Sequence, residues 1–124
     1  MPQSQLLLLD NSSMMSAINR GDYKCTDLSF EEAKGIIEMY NEDHILRCFY
    51  DSNIENIIYN YLGIESRNFE YKQIRDMRVN QDGIVFKLYT TPSETQPIIM
   101  TDNGIEAKKI QNIYVYCQLI SRLG

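Results

Sequence analysis

The sequence predicts an α/β domain, a mixed sheet of about five to six strands flanked by two main helices. Two kinds of apolar pattern alternate along the chain. Short continuous runs such as Leu6–Leu9 fit buried strands, and stretches with apolar residues three and four apart fit helices. The elements read in the order β, β, α, β, α, then further strands, the order of a layered α/β fold. At 124 residues, the chain reads as one domain over 1–124, large enough to bury its own core.

The first strand covers Gln5–Leu9, and the turn-forming residues Asp10, Asn11, Ser12 and Ser13 end it. A short edge strand is expected at Tyr23–Thr26, after Arg20-Gly21-Asp22. "LSFEEAKGIIEMYN" carries the clearest helix pattern. Ser29 and Glu32 stand at capping-box spacing, and Phe30, Ala33, Ile36, Ile37 and Tyr40 form its apolar stripe. "HILRCFY" at 44–50 is apolar on both sides, which places it inside a sheet. A second helix follows at once, with Ser52 as N-cap, Glu55 as its capping-box partner and Gly63 as its stop. Phe69–Val79 and Ile84–Thr90 read as a hairpin turning at Asp82-Gly83. A short strand at Ile98–Met100, a short helix at Gly104–Gln111 and a closing strand at Ile113–Leu123 complete the reading.

Composition excludes several functions. The net charge of −5 argues against a broad duplex nucleic-acid face, which needs many phosphate neutralisations. The longest apolar run, Leu6–Leu9, is far too short to span a bilayer. The N-terminus has no basic segment followed by a long apolar stretch, so no secretory signal is expected. The three cysteines, Cys25, Cys48 and Cys117, are widely spaced, which fits three buried thiols in a reducing cytoplasm better than disulfides or zinc. His44 is the single histidine, so no site with two histidine ligands can form, and the cysteines lack the CxxC spacing of a zinc site. No G-x-G-x-x-G, phosphate-loop or G-x-S-x-G motif is present. No metal, cofactor or catalytic residue is therefore assigned. Lys72, Arg75, Arg78 and Lys87 read first as a solvated face and second as donors for phosphate.

The order of motifs resembles the small viral ring nucleases, an anti-CRISPR group that degrades cyclic tetra-adenylate. "LLLLDNSS" at 6–13 is similar to the family's opening strand ending in Asn-Ser. Gly21-Asp22-Tyr23 is similar to its G-x-Y strand, and Leu28-Ser29-Phe30-Glu31-Glu32-Ala33-Lys34 matches its L-S-x-E-E-A-K. Leu62-Gly63 resembles the end of its second helix, and "MRVNQDGIVFKL" its later hairpin. The resemblance covers roughly residues 6–90.

It implies a homodimer with a cyclic nucleotide lying across the twofold interface. It also implies departures in chemistry. The family's histidine, a general acid, falls on Asp51, or on Tyr50 with one inserted residue. An arginine falls near Lys72, and a second falls on Thr91, with Glu94 retained. Ser12 of the opening motif is kept. An ordinary aspartate is ionised near pH 7, and a tyrosine gives up its proton reluctantly.

The expectation is a cytoplasmic, virus- or mobile-element-encoded protein that sequesters a cyclic nucleotide signal without efficient cleavage. Asn11, Ser12, Tyr50, Asp51, Ser52, Lys72 and Glu94 would line its pocket. Two alternatives stand beside it. One is a metal-independent phosphodiesterase with a rebuilt site, and the other is an acidic inhibitor that binds a host defence protein.

Overall fold

The structure, a computed structural model, describes residues 5–18, 21–89, 108–110 and 113–124. The strands are β1 (Leu6–Asp10), β2 (Tyr23–Leu28), β3 (Ile45–Arg47), β4 (Glu70–Tyr71), β5 (Asp82–Tyr89), β6 (Lys108–Ile110) and β7 (Ile113–Arg122). The helices are α1 (Asn11–Ala17), α2 (Phe30–Glu38) and α3 (Ser52–Leu62), with a 3-10 turn at Glu42–His44. Six strands lie in the order β2-β7-β5-β1-β3-β4, and β6 adds to β7. β1 is parallel to β3 and β5, β3 is parallel to β4, and β7 is antiparallel to β2, β5 and β6. The sheet is therefore mixed, as expected, and β2 is an edge strand.

β1 explains the middle of the sheet. Its four leucines are fully buried. Leu6 and Leu8 point into one core with Phe30, Ala33, Ile37, Ile58, Tyr59 and Leu62 of α2 and α3. Leu7 and Leu9 point into the other, with Ala17 of α1, Met77 and Ile120. A strand covered on both faces reads as an unbroken apolar run.

α2 begins at Ser29 with the expected capping box, Ser29 Oγ accepting from Glu32 N at 3.1 Å and Glu32 Oε1 from Ser29 N at 3.0 Å. α3 stops at Gly63 in the left-handed region, φ 70°.

Four expectations about secondary structure need correction. Asn11, Ser12 and Ser13 do not form a turn but open α1, capped by Asp10. α3 is capped by Asp51 and not by Ser52, and Glu55 turns into the core instead of back to the cap. No hairpin forms at Asp82-Gly83. β5 pairs with β1 on one side and β7 on the other, so neither edge is open to residues 69–79. Gly83 lies in the strand, where a Cβ would stand 3.3 Å from Leu9 Cδ1; the turn falls before Asp82, at Asn80, φ 66°. Buried Gln81 secures that turn, accepting from Arg78 N at 2.8 Å and donating to Gln5 O at 3.0 Å. Finally, Lys108–Ile110 is strand, not helix, because it adds to β7. The strand expected at Ile98–Met100 lies outside the described residues.

Cys25 is exposed on β2, against the expectation for all three thiols, whereas Cys48 and Cys117 are buried. Burial pushes both buried thiols up, Cys48 to about 12 with help from the charge of Glu55.

Candidate ligand site at the C-terminal edge of the sheet

β1 and β3 are neighbours, yet the helices that follow them pack on opposite faces. α1 covers the Leu7/Leu9 face and α3 the Leu6/Leu8 face. A parallel pair whose crossovers part in this way leaves a crevice beyond its carboxyl ends, the usual ligand position in open α/β sheets. Residues 10–13 and 48–53 form that crevice.

One carboxylate ties its two walls together. Asp10, 4% exposed, receives Ser13 N at 2.8 Å and Ser13 Oγ at 2.9 Å on Oδ1. Its Oδ2 receives Tyr50 N at 2.9 Å and Asp51 N at 3.1 Å. Above it, Ser16 Oγ of α1 and the Tyr50 hydroxyl are hydrogen-bonded at 2.8 Å. Asp51 Oδ1 receives Asn53 N at 3.0 Å and Ile54 N at 3.2 Å, so the protein's own carboxylates occupy four backbone donors that would otherwise suit an anion.

Five of the expected residues, Asn11, Ser12, Tyr50, Asp51 and Ser52, converge on this crevice, and all five are exposed. Lys72 follows β4, its N–H donating to Arg47 O at 3.0 Å. Its side chain is exposed. Glu94 and Thr91 lie outside the described residues. Arg75 and Arg78 are exposed, and the Lys87 ammonium lies 5.8 Å from the Tyr116 ring centre.

A buried polar group behind the crevice escaped the sequence reading. Arg47 Nη1 reaches both Glu55 oxygens at 3.4 Å, Tyr59 OH donates to Glu55 Oε2 at 2.9 Å, and the Arg47 guanidinium lies 5.7 Å from the Tyr71 ring centre. Burial first, then the charge of Glu55, raises the Tyr59 hydroxyl far above its ordinary range. This group anchors α3 to β3 and so fixes the height of the joint. The Asp10 clamp was also missed. Its signal was present, because Asp with Ser three residues on, directly after a buried strand, is an N-cap pattern.

A cleft of about 290 Å³ opens at the opposite edge of the sheet. Ile37, Ile45, Ile64 and Phe69 form its apolar floor, and Tyr40, Glu38, Glu42 and Glu65 its polar rim. Among the described residues, no group of His, Cys, Asp and Glu is arranged to hold a metal ion. No helix among them is long and apolar enough to cross a membrane.

The same fold occurs in a viral protein. The chain is similar to B116 of Sulfolobus turreted icosahedral virus, with a TM-score of 0.60 over 94% of this chain and 98% of that one, at 12% identity. No family profile and no curated protein matches the chain.

Proposed function

We propose that the protein is a viral or mobile-element anti-defence factor that binds and sequesters a cyclic nucleotide signal in the host cytoplasm. The observation that carries this reading is that Asn11, Ser12, Tyr50 and Ser52 lie together beyond the carboxyl ends of β1 and β3. The order of ring-nuclease-like motifs and a viral structural neighbour support it.

Asn11, Ser12 and Ser52 offer hydroxyl and amide groups to ribose and phosphate, and Lys72 offers charge. Backbone amides contribute little, since Asp10 and Asp51 already hold those nearest the joint. A second copy of the chain facing the crevice would complete a twofold site for a ring-shaped ligand. Titration calorimetry against cyclic di-, tri- and tetranucleotides and cyclic ADP-ribose isomers tests the reading. Heat of binding with one of them is expected, and silence from the whole panel would sink it.

Cleavage is the second reading, because the Tyr50 hydroxyl, hydrogen-bonded to Ser16, stands where the family's histidine falls if one residue is inserted. Multiple turnover of cyclic oligoadenylates to linear products, followed by chromatography, would replace sequestration with catalysis. An acidic inhibitor of a host protein is the third, and the Glu38, Glu42 and Glu65 rim favours it. That reading requires that triple replacement of these glutamates by lysine release a stoichiometric host partner.

A further inference from the structure

Three tyrosines among the described residues are exposed to a similar degree, Tyr50 at 46%, Tyr61 at 49% and Tyr71 at 48%. Their rings are not equally available. Tyr61 meets Phe30 edge-on at 5.1 Å, and Tyr71 carries the Arg47 guanidinium. Tyr50 has no ring or cation contact among the described residues. It is nevertheless held at both ends, its N–H by the buried Asp10 carboxylate and its hydroxyl by Ser16. An aromatic ring tethered at both ends and open to solvent, at the crevice of an α/β sheet, is a ready surface for a second flat ring. Stacking on such a surface needs no phosphate donors, and the donors nearest this joint are already taken by Asp10 and Asp51.

We infer that Tyr50 is the platform on which a nucleobase of the ligand stacks, and that Asp10 is the positioning residue that holds the ring in place. This rests on the cyclic-nucleotide reading above and adds what that reading leaves open, the group that recognises the base. Recognition then follows the base and not the phosphate alone.

The test compares variants by calorimetry with cyclic tetra-adenylate and the other cyclic nucleotides of the panel, and by proton NMR of the adenine H2 and H8 signals. Tyr50→Ala is expected to weaken binding roughly ten- to hundredfold, the range set by loss of a base–aromatic stack. It should also abolish the upfield ring-current shift of the bound base, with the melting temperature held. Tyr50→Phe and Ser16→Ala keep the ring and lose only the outer tether. Each should cost a fewfold in affinity, and the double variant no more than either alone. Asp10→Asn presents an amide donor either to Ser13 or to the Tyr50 and Asp51 N–H groups. It should reduce affinity and ring-current shift together. If it does not fold, the Ser16→Ala and Tyr50→Phe cycle carries the same comparison. Tyr50→Ala binding like the parent would overturn the inference while leaving the cyclic-nucleotide reading intact. Tyr50→Phe failing as badly as Tyr50→Ala would overturn it in favour of a hydroxyl role. A parent that binds nothing in the panel defeats the reading and the inference with it.

Discussion

The two edges of the sheet are built on different principles. At the N-terminal edge, α2 and α3 end and leave a cleft with an apolar floor. Its rim is exposed, and its charges are loosely paired, Lys34 with Glu38 at 3.9 Å and Arg67 with Glu65 at 3.4 Å. At the C-terminal edge polar groups are fixed by the buried Asp10 carboxylate and by a buried Glu55 paired with half-buried Arg47. Concavity therefore marks one edge and ordered chemistry the other. The comparison teaches that one sheet can end in two ways, with loosely paired charges around an apolar cleft or with backbone and side-chain groups clamped to a buried carboxylate.

The largest expected effect lies behind the crevice. Glu55→Ala leaves Arg47 half-buried without its counter-charge and Tyr59 without its acceptor, and should destabilise the fold by about 3 kcal/mol in urea unfolding. A loss under about 1 kcal/mol would mean that the two edges are equally tolerant.

Alkaline pH should separate them next. The folded Cys48 thiol ionises near 12 against an ordinary 9, and Cys117 and Tyr59 shift in the same direction. Because the folded values are raised, this stability is complete below about pH 9 and is lost as pH rises towards 12. Melting temperatures should be level from pH 7 to 9 and fall beyond it, less steeply in Cys48→Ala. A thiol reagent at neutral pH should label Cys25 and spare the two buried thiols until the protein unfolds.

Helix ends give a smaller and matched pair. Asp51→Ala removes the α3 cap and Gly63→Ala strains its left-handed stop, each at about 1 kcal/mol by thermal or urea melts. Ser52→Ala should cost far less than Asp51→Ala, since Asp51 is the cap. Ser52→Arg should change nucleotide affinity much more than stability, and a variant that binds like the parent would remove Ser52 from the site.

The smallest effects belong to the cleft rim. Glu38→Gln and Glu65→Gln break only exposed pairs and should each move stability by less than about 0.5 kcal/mol.

Local signals were enough for much of this architecture. Four consecutive leucines marked the central strand, because a strand covered on both faces has no polar side. Ser29 with Glu32 marked the start of α2, and Gly63 the end of α3, because caps satisfy backbone groups within a few residues. The convergence of residues 11–12 with 50–52 was legible only through the resemblance to a family, and the chain's own geometry then brings them together. Tertiary structure alone decided the rest. Asp82-Gly83 has the local chemistry of a hairpin turn, yet pairing with β1 and β7 outweighs it and draws the pair into a strand. Glu55 has capping spacing, yet Arg47 and Tyr59 offer a buried partner that the solvent-exposed cap does not. Asp10 could be seen as a cap, but its second oxygen meets Tyr50 and Asp51, 40 and 41 residues away. Caps and strand patterns are set by neighbours in sequence. Clamps and pairings are set by which distant groups packing brings within reach of a hydrogen bond.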